Sequence, residues 1–386
     1  MVKPLYAYTE EIDDIDAAVS TILEQLDVDG NLLSNTCGIL TFYSEFVDTG
    51  VITALCERLP FPVVGTTTMG TAVPGVNGSL LLGLMVLTSD DVTFSAVMTE
   101  SLTGDLREPI EAAYAEGVAA LGEAPKLIMP FAPLIFHHAG DDYVDILNEL
   151  SGGAPCFGTL TVDLTADYRE CGVLHNGRFA KDRMALLFLG GAVAPDFIVV
   201  SIAEEKVWQR SAVITASKGN VLREVNNQPL ARYLEGIGLA KEGVIASSVN
   251  TFPFVLDYND GTRPVVRALL QVTPDNCGAC GGRMPVGASL SVATFNRTDV
   301  LATTTDALTQ VMAKQNRSAL IMLSCAGRSM ALGADTTAEM ALLDECLGSS
   351  LPYLFAYSGG EICPVDGGNG TQINRFHNDT LVACLL

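Results

Sequence analysis

An α/β fold, with mixed sheets covered by helices, is what this sequence predicts, and three observations predict it. Short apolar segments alternate with longer ones whose apolar residues recur every three or four positions. The short segments carry no polar face, which suits strands buried on both sides. The alternation also recurs along the chain. Two domains related by internal duplication of a β-α-β-α-β module are therefore expected, with a boundary near Glu205 that gives domains 1–205 and 206–386.

The first pass opens with LYAYTEE from Leu5. A helix follows with Ile15, Val19, Ile22, Leu23 and Leu26 on one face, preceded by the acids that helix starts favour. Then come the strand CGILTF from Cys37, the helix VITALCERL from Val51 and the strand FPVVGTTTMG from Phe61. The second pass starts at Val92, with helix AAYAEGVAAL, strand KLIMPFAPLIF, helix YVDILNEL and strand APCFGTLTVD. The third starts at Ala288, where ASLSVATF reads as its opening strand; SALIMLSCAGR, AEMALLDECL and LPYLFAYSGGE follow. Each pass closes on a proline, an apolar run and a turn of small residues: Gly65-Thr66-Thr67-Thr68, Gly158-Thr159-Leu160-Thr161 and Ser358-Gly359-Gly360. A further strand comes after each, at Ser79–Leu87, Met184–Leu189 and Asn378–Leu386, behind Asn-Gly signals at Asn77, Asn176 and Asn369. Val207 to Val286 breaks the pattern and reads as strand, turn, strand and short helix.

Composition narrows the function. The net charge is −23 with only 22 Lys plus Arg, a surface that repels phosphate backbones and anionic lipid, so neither nucleic acid nor membrane is expected as a partner. No apolar run is long enough to span a bilayer, and MVKPLYAYTEE lacks a signal-peptide pattern, so a soluble cytoplasmic protein is expected. The ten cysteines are scattered, several in apolar runs (Cys37, Cys56, Cys325, Cys384), which suits reduced core thiols.

The C-terminal half carries a recognisable series: Asn220-Val-Leu-Arg-Glu-Val-Asn through Pro229 to Tyr233-Leu234, Pro264-Val-Val-Arg267, Gly282-Arg-Met-Pro-Val-Gly287, Leu323-Ser-Cys-Ala-Gly-Arg328, Tyr357 through Gly360-Glu361-Ile362, and Phe376-His377-Asn378-Asp-Thr380-Leu381. In order and spacing it resembles the FIST family of sensory domains. The N-terminal half resembles the companion FIST N domain, best at GTTTMG from Gly65; Thr71 stands where that domain more often has an acid. The resemblance implies a binding module for a small ligand, an amino acid or similar anion or zwitterion, rather than an enzyme. It also implies signalling through a kinase, cyclase or chemoreceptor output, here on a separate protein. Some members resemble haem-binding nitric-oxide sensors, and an adaptor role without a small ligand is the third reading.

Site candidates follow from residue chemistry. Arg267 interrupts an apolar strand, and a charge there must be paired or exposed. Cys325 and Arg328 follow the strand Ala319–Leu323, where a nearby guanidinium would favour thiolate and could fork a carboxylate. Two readings of the arginines stand, a ligand-facing role and a structural pair with Glu361. Tyr357 and Glu361 supply hydrogen-bonding groups beside the glycine turn, with Glu361 open to an ammonium. His377 beside Asn378 is either a structural hydrogen-bonder or a haem ligand, and His137-His138 is an alternative ligand pair. Cys277-Gly-Ala-Cys280 has redox or zinc spacing but no second pair, so a glycine-rich loop is the plainer reading. Cys325 and His377 are the residue types of a nucleophile and base, yet no complete catalytic constellation is visible.

Overall fold

A computed structural model describes residues 2–135, 138–165, 167–208, 211–241, 244–245, 252–315, 317–367 and 371–386. The turn signal at Asn369 and His137 lie outside the described residues. The first unit supplies β1 (Lys3–Thr9), α1 (Ile15–Leu26), α2 (Val28–Asn31), β2 (Asn35–Phe42), α3 (Glu45–Asp48), α4 (Val51–Arg58), β3 (Val63–Thr67), β4 (Thr71–Val73), β5 (Val76–Gly78) and β6 (Leu82–Ser89). The second supplies β7 (Phe94–Met98), α5 (Arg107–Leu121), β8 (Leu127–Ala132), α6 (Gly140–Ser151), β9 (Gly158–Leu160), β10 (Val173–His175), β11 (Arg178–Ala180) and β12 (Ala185–Leu189). β13 (Asp196–Val200) then leads into an inserted unit: β14 (Ala212–Lys218), β15 (Val221–Val225), β16 (Gln228–Pro229), α7 (Leu230–Gly236), β17 (Ala240–Lys241), β18 (Val244–Ile245), β19 (Phe254–Asp257), β20 (Val265–Arg267), β21 (Leu269–Val272), β22 (Gly278–Cys280) and β23 (Ser289–Val292). The third unit resumes with α8 (Arg297–Ala313), β24 (Leu320–Cys325), α9 (Ala326–Leu332), α10 (Ala338–Leu347), β25 (Tyr353–Ser358), β26 (Glu361–Asp366), β27 (Gln372–His377) and β28 (Leu381–Leu385). Among the described residues no helix is long and apolar enough to cross a membrane.

The three large sheets share one strand order: β1-β6-β2-β3-β10-β11, β7-β12-β8-β9-β26-β27 and β13-β28-β24-β25-β4-β5. In each, the only parallel pair joins the two central strands, β2 with β3, β8 with β9 and β24 with β25. Each unit also lends its hairpin to a neighbour: β4–β5 extends the third sheet, β10–β11 the first and β26–β27 the second. The junctions are alike, with Thr67 N donating to Gly172 O at 3.0 Å, Leu160 N to Gly360 O at 2.9 Å and Tyr357 N to Gly70 O at 3.0 Å.

This exchange explains the glycines after Ser358. A Cβ on Gly359 would lie 2.6 Å from Thr161 O, and one on Gly360 2.4 Å from the Phe376 ring. Gly360 also sits at φ +138°, a region that side chains rarely adopt. The doublet thus lets the chain step from one sheet to the next.

The sheets do not follow the division expected at residues 205 and 206. β13 pairs with β28, β4 with β25 and β26 with β9, so strands from both sides of that division share sheets. The start expected for the third pass is corrected as well. ASLSVATF contains β23, which pairs with β14 and β19 in the inserted unit, whereas β13 occupies the opening position of the third sheet. The insertion separates that strand from its helix, and a local pattern cannot bridge such a gap.

Apolar residues of all three sheets, among them Ile39, Met85, Met129, Phe131, Ile321 and Leu323, meet in one inner core. The outer faces are covered by helices: Val19 and Ile22 of α1 pack on the first sheet, Ile110 and Tyr143 of α5 and α6 on the second, and Leu308 and Leu343 of α8 and α10 on the third. Burial on both faces accounts for strands without a polar stripe. The inserted strands run β20-β19-β23-β14-β15-β22-β21. β20 and β21 stand at opposite ends of that order although only Ala268 separates them in the chain, so the sheet curls back on itself.

Candidate functional site

The strand β24 ends at Cys325, and α9 begins at once. Beside it, the turn between β27 and β28 carries Asn378 and Asp379, and the glycine turn after β25 brings in Gly359. The inserted sheet lies over these ends with Asn220, Ala268, Leu270, Cys280 and Gly281. Together they enclose a cavity of about 300 Å³, completed by residues of the second unit that include Leu134, Leu160 and Tyr168. Small residues allow the close approach. A Cβ on Gly327 would lie 2.0 Å from Asp379 Oδ1, and one on Gly281 2.5 Å from Asn378 Oδ1. Asp379 takes φ +49°, a left-handed conformation that Asp and Asn tolerate better than most residues.

Asn378 ties roof to floor. Its backbone N–H donates to Val266 O at 3.3 Å, its Oδ1 accepts from Ala268 N at 3.4 Å, and its Nδ2 donates to His377 O at 3.1 Å. Ion pairs hold the inserted sheet at its flank. Arg267 Nη2 reaches Asp141 Oδ1 at 2.7 Å, Arg283 reaches Asp142 and Asp145 at 2.6 Å each, and Arg375 pairs with Asp260.

The electrostatics of this end are unusual. Asp379 Oδ2, Glu361 Oε2 and Asp163 Oδ2 are buried carboxyl oxygens without a hydrogen-bond partner. Burial pushes the Asp379 carboxyl up to about 7, against the opposing pull of Arg328. Burial and then Asp379 raise Glu361 well above the usual carboxylate range, while Ser358, which donates to Glu361 Oε1, pulls the other way. Burial, followed by Glu361 and Asp379, raises the Cys325 thiol. The thiolate character expected from a neighbouring guanidinium is therefore corrected: Cys325 faces acids and stays a thiol.

The sequence-derived candidates divide. Cys325 and Asn378 line the cavity, and Glu361 lies behind it, within electrostatic reach of Cys325 and Asp379. Arg328 does not face a ligand. It is fully buried and paired with Glu339 Oε1 at 2.7 Å, and it also donates to Ser324, Thr303, Thr304 and Val300 O. Arg267 is equally committed, to Asp141, Tyr258 Oη at 2.8 Å and Phe376 O at 2.8 Å. The structural partner considered for them, Glu361, is thus replaced by Glu339 and Asp141. A buried guanidinium needs several acceptors matched at once, and Glu339 and Asp141, with the oxygens around them, supply these where the fold brings them. Tyr357 packs under α10 with its hydroxyl 3.2 Å from Thr336 O, away from the cavity.

His377 lies in the wall of a different cleft of about 500 Å³, shared with Arg263, Gln310, Asp366 and Gln372. Burial lowers its imidazole to about 3, and Nε2 sits 3.2 Å from Cys363 O. This neutral ring serves structure, and the polar cleft before it lacks the apolar slot a porphyrin needs, so these residues do not fit haem. Titration with haem should therefore give no Soret band that His377→Ala removes; a band lost in that variant would reinstate the ligand. Nor does Cys325 share a cavity with His377, so the two do not form a nucleophile and base pair. Cys277 contacts Asp275, whereas Cys280 lines the cavity, its thiol pushed up to about 12 by burial. Among the described residues no group of three or more His, Cys, Asp or Glu could hold a metal ion.

His138, named from sequence as half of a ligand pair, also lines the cavity, whereas Asp379, Tyr168, Asn220 and the rim pair Leu270 and Met330 line it without having been taken as site candidates. Asp379 carried two signals, its place in the series from Phe376 to Leu381 and an acid directly ahead of the apolar TLVACLL.

The FIST N domain model matches residues 38–228 and the FIST C domain model residues 228–364. No curated protein matches the chain. Among solved structures, cyanuric acid hydrolase from A. caulinodans aligns over 100% of this chain and 99% of its own, at 8% identity and a TM-score of 0.37, a likeness too low to carry chemistry across.

Proposed function

The chain belongs to the FIST family, and on that premise we propose that it is a cytoplasmic sensor that binds a small molecule in the cavity between the inserted sheet and the ends of β24 and β25. One observation carries this reading: Asp379, buried and with Oδ2 unpaired, stands in the wall of a largely apolar cavity of about 300 Å³. Among the described residues, the larger cleft before His377 has no such group in its walls. A ligand there touches both the inserted sheet and the three-sheet body. Its arrival would alter how Arg267, Arg283 and Arg375 hold the two together, which gives a separate kinase, cyclase or chemoreceptor protein something to read. Binding rather than catalysis is the role proposed, because burial, and after it Glu361 and Asp379, raise the Cys325 thiol and disfavour the thiolate.

An amino acid keeps half of its support. Asp379 offers an acceptor for the ammonium, but the arginines expected for the carboxylate are committed elsewhere. The test is a thermal-shift screen of a metabolite library on wild type and on Met330→Trp, which plugs the mouth from an exposed helical position. A compound that stabilises wild type alone supports the site. Equal stabilisation of both proteins moves the ligand elsewhere, and no stabilisation by any compound favours the adaptor reading.

A further inference from the structure

We infer that the ligand of this cavity is an amine with a compact apolar body and no carboxylate, its ammonium received by Asp379. The inference rests on the cavity being the ligand site and names the class of molecule that fits it. Among the described residues in its wall, Asp379 is the only acid, neither Lys nor Arg is present, and His138 is the one imidazole. Leu134, Ile135, Leu160 and Val162 make much of the remainder apolar. Leu270 and Met330 stand at its rim although 55% and 44% exposed, so the way in is apolar too.

The chemistry of the floor selects the head group. Asp379 Oδ2 is buried and lacks a donor, and Glu361 Oε2 behind it lacks one as well. An ammonium supplies N–H groups and a positive charge in one small group, making a charge-assisted hydrogen bond where the protein makes none. A carboxylate would enter beside two acids with neither Lys nor Arg among the described wall residues to meet it, since Arg267 and Arg328 are bound to Asp141 and Glu339, and among those residues only the His138 imidazole could take a positive charge. A neutral hydroxyl satisfies the oxygen without the charge and binds more weakly. The asymmetry disfavours free amino acids and favours their decarboxylated relatives and other alkyl or aryl amines.

The test is calorimetric titration at pH 8 with three probes sharing one apolar body: hexylamine, hexanol and hexanoate. Hexylamine is expected to bind wild type at least about tenfold more tightly than hexanol, and hexanoate not measurably. Asp379→Asn should bring hexylamine down to the level of hexanol. Asparagine retains the shape and tolerates the left-handed backbone, so the variant is expected to fold. The inference is overturned if hexanol or hexanoate equals hexylamine, if the amine preference survives Asp379→Asn, or if no probe binds. Met330→Trp separates the two readings. Probes that bind without amine preference, yet are lost in Met330→Trp, leave the cavity as the ligand site and remove only the ligand class.

Discussion

Asp379→Asn is expected to be more stable than wild type at pH 8, by about 2–4 kcal/mol in urea unfolding, and no more stable at about pH 3. The sign follows from the carboxyl. Its ordinary value is 3.8 and burial raises it to about 7 in the folded chain. Below the unfolded value both states carry the proton and nothing is lost. Between 3.8 and about 7 the unfolded chain ionises while the folded one does not, so stability declines as pH rises, and above about 7 the loss is complete. An uncharged amide removes that loss. Glu361 adds to the effect, because Asp379 is one cause of its own upward displacement. Arg328 is the cation opposing both, but its donors are spent on Glu339 and the hydroxyls around it. A stability difference that does not change with pH would mean that Asp379 is ionised comfortably in the folded chain. The gain at pH 8 together with loss of amine binding is the pattern of a residue kept for its ligand at a cost to the fold.

Much of the architecture was legible in the sequence, because strand burial and helix periodicity are local properties. The helices led by Ile15 and the strands at Cys37, Leu127 and Leu320 fall where the apolar spacing puts them. The hairpin exchange is a different kind of fact. Thr71–Gly78 folds as two short strands after the turn, and nothing within its sequence records that they complete a sheet built around Tyr353. The misplaced start of the third pass has the same root, since Ser289–Val292 directly precedes a helix and so imitates an opening strand. Of the residues that chemistry and spacing singled out at these strand ends, Cys325 and Asn378 line the cavity. The arginines misled because an Arg in an apolar run announces that it needs a partner without saying which. Asp141 lies 126 residues from Arg267, and Glu339 is reached only after α9 has turned the chain back.

That partner makes the second large prediction. Arg328→Met should cost about 3–5 kcal/mol in urea unfolding, since it leaves Glu339 fully buried without its counter-charge. Glu339→Gln should be costly for the reciprocal reason. The loss from removing both together should be smaller than the sum of the single losses, because each single change strands a charge and the double change strands none. Recovery will be partial. Ser324, Thr303 and Thr304 also accept hydrogen bonds from Arg328, and in its absence those buried hydroxyls lose a donor. A ligand-facing arginine would behave in the opposite way, with a small stability loss and a large loss of binding. Strictly additive single losses would break the assignment of Arg328 to Glu339. A strongly non-additive cycle would establish that this guanidinium belongs to the scaffold, leaving Asp379 as the charge that the cavity presents.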